Sequence, residues 1–98
     1  MSIKGTSGSK ELTADVIVGL SGKPVRVWNV TWLSGGTAGD MVLRNGATDS
    51  GTAYTTTAGI INKTSTLNFE GGLRFTNGCF YDHDSNTTSA VIEFETEV

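Results

Sequence analysis

The sequence predicts an all-β protein, built as a single small β-sandwich of about eight short antiparallel strands. Three observations carry this prediction. Short apolar runs rich in Val, Thr and aromatic residues recur along the chain at a fairly regular spacing. Gly, Asn and Ser, which favour turns, separate these runs. No segment repeats its apolar residues with the period of a surface helix.

The chain has 98 residues, a length that suits one domain with a modest core. Residues 1–10, "MSIKGTSGSK", are small and polar and predict a flexible N-terminal arm that a partner orders. Residues 11–98 then form the sandwich domain. Its predicted strands are "LTADVIVGL", "VRVWNVTWL", "DMVLR", "TAYTTT", "LNFE", "LRFT", "CFYDH" and "AVIEFETEV". We expect a jelly-roll-like fold, although strand order is not readable from one chain and other sandwiches stay open.

The longest apolar run, "VRVWNVTWL", is predicted to be a central strand. Regular alternation places Trp28, Val30 and Trp32 on one face, and Val25, Val27 and Leu33 on the other. A strand that is apolar on both faces is often covered on both. We therefore expect one face to meet the core and the other to meet a subunit or partner. The alternative is that one face simply holds exposed valines.

Glycine-rich segments predict the connections. Asn77-Gly78 predicts a two-residue hairpin, and Asn45-Gly46 opens a longer loop. The segment "SGGTAG" at residues 34–39 raises a choice between a phosphate-binding loop and a bend between strands. A phosphate loop needs free N–H groups at the start of a following helix, but "DMVLR" is predicted to be a strand, and Asp40 would repel a phosphate. We therefore predict a hairpin bend.

Composition excludes several functions. The net charge is −3 and the seven Lys and Arg are scattered, so neither nucleic acid nor a membrane is an expected partner. The first residues lack the apolar run of a signal peptide, so we expect folding in a cytoplasm. The single cysteine, Cys79, is predicted to be a small core residue. It lies about 13 Å along a strand from His83, too far for a catalytic pair. No cofactor is expected.

One segment has the spacing of a calcium loop. In "DHDSNTTSAVIE", Asp82, Asp84, Asn86 and Glu93 stand at the first, third, fifth and twelfth positions. Position six, normally Gly, is Thr87, and the flanks are predicted strands, not helices. Asp, Ser and Asn also form ordinary turns. We therefore predict a turn here and no metal site.

No catalytic residue is predicted. His83 is the only histidine, and no Ser or Asp constellation points toward it. The residues Glu93, Glu95 and Glu97 alternate with Ile92, Phe94 and Thr96, which predicts a final strand with one solvated and one largely apolar face. Carboxylates for glycoside cleavage must converge across a groove, and a row along one strand does not do so. We expect that the protein is not an enzyme.

Several segments, in this order, resemble small all-β structural proteins of tailed bacteriophages, notably marine phages. They are "VRVWNVTW", the segment Asp40–Gly46, the segment Gly72–Tyr81, and the closing strand Ala90–Glu95. The resemblance covers residues 25–98 and consists mostly of turns and core residues. It implies a virion protein and brings no catalytic residues with it.

The resemblance implies a capsid decoration (cement) protein, made in the host cytoplasm and bound to the outer capsid surface of the virion. Its partner would be the major capsid protein of the same virion, with self-association as a dimer or trimer. Such a protein stabilises the shell because it binds only the assembled state. We expect the interface to include Met1, Ile3 and Lys4 of the arm, with Trp28 and Trp32 as anchors.

Two functions from other classes stay open. The first is an adhesion or tail/fibre-associated carbohydrate-binding module, in which exposed aromatic rings stack on sugars and His83 and the Asp-rich turn assist. Its candidate aromatic residues are Trp28, Trp32, Tyr54, Phe80 and Tyr81. The second is a small hydrolase, which is the weakest alternative because the sequence shows no convergent acid–base pair.

Overall fold

Eight strands make up the computed structural model, which describes residues 4–97 and the side chains of residues 11–97. The strands are β1 (Lys4–Leu12), β2 (Val16–Val18), β3 (Val25–Ser34), β4 (Asp40–Asn45), β5 (Thr52–Ala58), β6 (Thr64–Phe75), β7 (Cys79–His83) and β8 (Thr87–Glu97). Within these described residues, no helix is long and apolar enough to cross a membrane.

The strands form two four-stranded antiparallel sheets. Sheet A has the order β1-β8-β3-β6, and sheet B has the order β2-β7-β4-β5. The pairs β1–β8, β2–β7, β3–β6 and β4–β5 are nested within one another along the chain. One long hairpin that is folded over into two facing sheets produces this pattern, which is the jelly-roll topology. The predicted fold class, an all-β jelly-roll-like sandwich of eight strands, is confirmed.

The core lies between the two sheets, because each central strand turns one face inward. Sheet A contributes Leu12, Val25, Val27, Val30, Trp32, Phe75, Ala90, Ile92 and Phe94, and sheet B contributes Val18, Met41, Leu43, Cys79 and Tyr81. Burying this apolar surface is the main term that favours the folded chain. The final strand β8 alternates as predicted, with Ile92, Phe94 and Thr96 buried and the glutamates facing out.

The N-terminal region differs from the predicted arm. Residues from Lys4 onward pair with β8, in a register that joins Ser7 to Glu95 and Leu12 to Ala90. The predicted boundary at residue 10 therefore falls within β1, and residues 1–3 lie outside the described part of the chain. The segment is poor in apolar residues, yet hydrogen bonding to an existing strand orders a backbone whatever its side chains.

Strand β3 contains a β-bulge that changes its two faces. On β8, Phe94 and Glu93 are consecutive, but their partners on β3 are Val27 and Asn29. Trp28 is therefore the extra residue, and the alternation reverses after it. Val25, Val27, Val30 and Trp32 all face the core, while Trp28 and Leu33 face outward. The predicted faces were wrong, since regular alternation cannot anticipate an inserted residue.

The predicted strands and connections also differ in detail. "LTADVIVGL" covers the last residue of β1 and the whole of β2, whereas "LNFE" and all of "LRFT" except Thr76 belong to the single strand β6. The connections at residues 34–39 and 76–78 were predicted as hairpins, but each crosses from sheet A to sheet B. Turn residues fix the local backbone, whereas the core decides which strand the chain meets next. The longer loop predicted after Asn45 is confirmed as the β4–β5 connection.

Candidate functional site

Four connections meet at one end of the sandwich, at residues 13–15, 35–39, 59–63 and 84–86. We call this the loop end. Backbone hydrogen bonds join three of them. Gly35 N donates to Asn86 O at 2.8 Å, Asn62 N donates to Gly35 O at 2.9 Å, and Gly59 N donates to Gly39 O at 2.8 Å. These hydrogen bonds tie three of the four connections to one another.

Gly39 lies at the centre of the loop end, in the glycine-rich segment. Its N–H donates to Ser34 Oγ, and its carbonyl accepts from Trp32 Nε1, each at 3.0 Å. A Cβ at this position would collide with Oγ1 of Thr87 and lie 2.9 Å from its backbone nitrogen. Strand β4 follows, and the Gly39 N–H already has an acceptor. The glycine here permits close packing, and the segment does not have the geometry of a phosphate loop.

The four residues with calcium-loop spacing do not converge. Asp82 accepts from Arg44 Nε at 2.9 Å, on the outer face of sheet B. Asp84 accepts backbone N–H groups from Asn86 at 2.7 Å and Asp40 at 2.9 Å. Glu93 lies on the outer face of sheet A, where it accepts from Asn29. Among residues 4–97, no cluster of three or more His, Cys, Asp or Glu side chains is suited to a metal ion.

The residues 84–87 instead form a turn, in which Thr87 N donates to Asp84 O at 2.9 Å. The Asp84 carboxylate stabilises this turn from within. The two backbone N–H groups, from Asn86 first and then from Asp40, hold the pKa of Asp84 below its ordinary value. The negative charge of Asp84 is therefore already stabilised by hydrogen bonds within the protein.

His83 lies at the edge of the core near the loop end. Its Nδ1 is 2.8 Å from the hydroxyl oxygen of Tyr81, and its backbone N–H donates to Asp15 Oδ1 at 2.7 Å. Burial, aided by the charges of Asp84, Asp15 and Asp82, raises the pKa of Tyr81 to about 12. Cys79 is buried four residues before His83, as predicted for a core residue, and burial raises its pKa to about 12. Neither group is poised as a nucleophile near neutral pH.

A shallow pocket of about 220 Å³ lies at the corner between β1 and β2, with Asp15 in its wall. Among the residues whose side chains the structure describes, residues 11–16 line it, so one short segment supplies the described part of its wall. Of its two carboxylates, that of Asp15 already accepts the N–H of His83. Catalytic sites combine groups from several elements around one point, and the described lining of this corner does not.

The two predicted tryptophan anchors are on opposite faces of β3. Trp32 is 1% exposed and belongs to the core, which corrects its placement on a partner-facing surface. Trp28 is 41% exposed on the outer face of sheet A. It rests against the backbone of Gly72, where a Cβ would lie 3.2 Å from Trp28 Cζ3. Gly72 adopts a φ of +82°, which L side chains rarely adopt.

The other aromatic candidates are separated as well. Tyr54 is exposed and stacks on Phe75 with ring centroids 5.0 Å apart. Phe80 faces outward on sheet B, whereas Tyr81 is buried. These aromatic candidates of the carbohydrate-binding alternative therefore do not form one exposed row. Met1 and Ile3 lie outside the described residues, and Lys4 is placed only by its backbone, as the first residue of β1.

One exposed apolar site was missed by the sequence analysis. Ile60 and Ile61 are 59% and 52% exposed in the β5–β6 connection. Lys63 N donates to Ile60 O at 3.0 Å, which closes a turn, and Asn62 adopts a φ of +57°. We call residues 60–63 the isoleucine turn. Two adjacent isoleucines between "AG" and "NK" are the sequence signal, because turn tips normally carry polar residues.

The fold and the loop end define the class of this protein as an eight-stranded jelly-roll β-sandwich. Comparisons with protein-family models, with curated proteins and with solved structures find no match to the chain.

Proposed function

We propose that this protein is a capsid decoration protein of a tailed bacteriophage, which binds the assembled shell through its loop end. The isoleucine turn is the observation that carries the proposal. Its two isoleucine side chains are exposed. Two backbone hydrogen bonds hold the turn in place, from Asn62 N to Gly35 O and from the preceding Gly59 N to Gly39 O. Two adjacent exposed isoleucines on a loop held by hydrogen bonds favour a surface that another protein covers.

Three other features support the proposal. Residues 25–98 resemble phage structural proteins, the chain carries a net charge of −3, and jelly rolls are common in viral shells. Burying an isoleucine side chain contributes about 1.5–3 kcal/mol. Binding to the assembled shell, and not to free subunits, stabilises the shell by mass action. The partner is then the major capsid protein, and the site of action is the outer capsid surface.

Co-sedimentation with shells tests this function. The purified protein is pelleted with mature shells, with immature shells and alone, alongside the double variant Ile60→Ser/Ile61→Ser. We expect saturable pelleting of the wild-type protein with mature shells and at least tenfold weaker binding of the variant, which corresponds to about 1.4 kcal/mol or more. Removal of residues 1–3 tests separately whether the N-terminus contributes to binding.

Leu20→Ser is the matched control. Leu20 is 46% exposed and begins a similar turn, closed by Lys23 N donating to Leu20 O, at the opposite end of the sandwich. This variant should pellet like the wild-type protein. Absence of pelleting with either kind of shell would refute the decoration function. Pelleting that Leu20→Ser weakens and the isoleucine variant does not would place the contact at the other end.

A carbohydrate-binding module is the second candidate, and Trp28 favours it. Its ring is exposed beside the amide–carboxylate pair of Asn29 and Glu93, whose Nδ2 and Oε1 atoms are 3.0 Å apart. Asn68 pairs with Asn29 on the adjacent strand and is also exposed. An aromatic face beside planar polar groups can stack on a sugar ring and bond its hydroxyls.

Tryptophan fluorescence on a panel of soluble glycans tests this candidate. Because Trp32 is buried, a glycan at the outer face of sheet A would change the emission of Trp28 alone. We expect Trp28→Ala to abolish binding, whereas Tyr54→Ala, which removes an aromatic ring of equal exposure, leaves it unchanged. If no glycan of the panel shifts the wild-type emission, the carbohydrate function is wrong.

A further inference from the structure

Strand β5 is an edge of sheet B with an uncharged sequence. It is the last strand in the order β2-β7-β4-β5, so in the described part of the chain only β4 pairs with it. From Thr52 to Ile61 the sequence "TAYTTTAGII" contains no charged residue and no proline. Such an edge presents free N–H and C=O groups that can pair with another strand.

The other three edges carry features that discourage pairing. Strand β1 has Lys4, Lys10 and Glu11. Strand β6 is interrupted by Gly71 and Gly72, both with positive φ. Strand β2 has only three residues. Charged residues, bulges and short length usually protect a sheet edge from pairing. Strand β5 is neither charged nor short.

A bulge defines which part of β5 is regular. Leu43 and Arg44 are consecutive on β4, but they pair with Thr55 and Ala53, so Tyr54 is the extra residue. From Thr55 to Ala58 the pairing with β4 is continuous. Within this part Thr55 is buried and points inward, whereas Thr56 is exposed and points outward. The regular part therefore contains three consecutive threonines.

We propose that β5 pairs antiparallel with β5 of a second copy of this chain, across a two-fold axis at Thr56. In this register Thr56 faces Thr56 of the second copy, and Thr55 faces Thr57. Inward side chains then meet inward side chains, as a shared pleat requires. Cross-strand threonine pairs are favourable. The two copies of sheet B become one continuous sheet of eight strands.

The sequence of this strand favours a second copy as the occupant, because three consecutive threonines make the strand self-complementary about Thr56. Each chain carries a net charge of −3, yet the paired segment is neutral, so the strands meet without like charges opposite one another. A two-fold contact is also self-complementary, because each copy supplies the same strand. This inference does not depend on the shell-binding proposal, since β5 and its pairing are properties of the isolated chain.

Charge substitution at the axis tests the proposal. Thr56→Lys and Thr56→Glu each place two like charges opposite one another, whereas an equimolar mixture of the two variants places opposite charges together. Sedimentation of the full chain is followed up to about 1 mM, because a small interface gives weak association. We expect the wild-type chain to form dimers, each variant alone to associate at least about tenfold more weakly, and the mixture to recover the dimer at low salt.

Thr64→Lys provides the matched control. Thr64 is an exposed threonine on β6, the edge strand of sheet A, and its substitution should leave association unchanged. A wild-type chain that stays monomeric over the whole series would overturn the proposal. So would equal effects of the Thr56 and Thr64 substitutions, or a mixture that does not associate better than its components, which would leave an unrelated contact as the cause.

Discussion

Gly39 is the single residue on which the loop end most depends. Its backbone binds Ser34, Trp32 and Gly59, and the space where a Cβ would lie is filled by Thr87. We expect Gly39→Ala to destabilise the fold by about 1–3 kcal/mol, because the overpacked backbone must shift. Denaturant unfolding followed by circular dichroism measures the change.

Gly36→Ala is the control for this prediction. Gly36 belongs to the same connection, but nothing lies within 4 Å of an added Cβ. The free energy of unfolding of the Gly36→Ala variant should stay within about 0.5 kcal/mol of the wild-type value. Equal destabilisation by the two substitutions would show that the whole segment, and not the contact of Gly39 with Thr87, limits stability.

The two tryptophans differ in what they contribute to stability. Trp32 is buried and its Nε1 donates to Gly39 O, whereas Trp28 lies on the surface. We expect Trp32→Ala to cost about 3–5 kcal/mol, as for other large core side chains. Trp28→Ala should cost about 1 kcal/mol or less. Thermal unfolding of both variants separates the two residues, and similar losses would contradict the faces assigned to β3.

At the scale of elements, the turn between β7 and β8 depends on one carboxylate. Asp84 accepts N–H groups from Asn86 and Asp40, which lowers its pKa from 3.8. A carboxyl group whose pKa is lowered by folding stabilises the fold above its unfolded pKa, and this contribution is lost as the pH falls through the native value. The stability of the wild-type protein should therefore fall on acidification below about pH 4.

Asp84→Asn removes this titration but keeps one oxygen acceptor. We expect a loss of about 0.5–1 kcal/mol at pH 7, at the lower end for a hydrogen bond because the group is partly exposed. The variant should lose less stability than the wild-type protein between pH 5 and pH 2, a range chosen to bracket the ordinary pKa of Asp. Unfolding midpoints over this range test it, and parallel curves for the two proteins would contradict the assignment to Asp84.

Strand β3 shows how far a pattern along one element can be used. Its existence, length and central place in the sheet were predicted from "VRVWNVTWL", because nine largely apolar or β-branched residues suit a buried strand. Its faces were not, because the bulge at Trp28 reverses the alternation. The bulge lies opposite residues 69–72 of β6. The bulge on β3 and the unpaired residues on β6 therefore face each other, and neither can be predicted from its own segment.

At the scale of the whole molecule, the core contains two groups that resist ionisation. Burial raises the pKa of Cys79 from 9.0 to about 12 and that of Tyr81 from 10.0 to about 12. Both are neutral when protonated, so the unfolded chain ionises first as the pH rises. The stability that these two groups contribute is fully present below their pKa values in the unfolded chain. It declines from about pH 9 and is lost through about pH 12.

Urea unfolding between about pH 8 and pH 11 tests this alkaline limb. We expect the urea midpoint of the wild-type protein to fall from about pH 9. The midpoint of Cys79→Ala, in which Tyr81 is the remaining one of the two buried groups, should begin to fall nearer pH 10. A thiol reagent at pH 8 should modify Cys79 only after unfolding, because the folded thiol is buried and protonated. Rapid modification of the folded protein would contradict its burial.

Local sequence pattern was enough to predict the all-β class of this protein and most of its strands. Alternation along β8, the neutral core residue Cys79 and the absence of a helical period all depend on local pattern, so they were predictable. The same local information supported a turn after Asp84, because Asp and Asn bond nearby backbone groups whatever the surrounding fold.

Which side chains are buried and which are exposed follows from the tertiary structure alone. Trp32 and Trp28 are alike in sequence context, but the bulge buries one and exposes the other. The two glycine-containing connections became crossings between sheets, because burial of both inner faces outweighs the local preference for a hairpin. The position of β5 at a sheet edge depends on strand order, which arises from pairing between segments far apart in the chain.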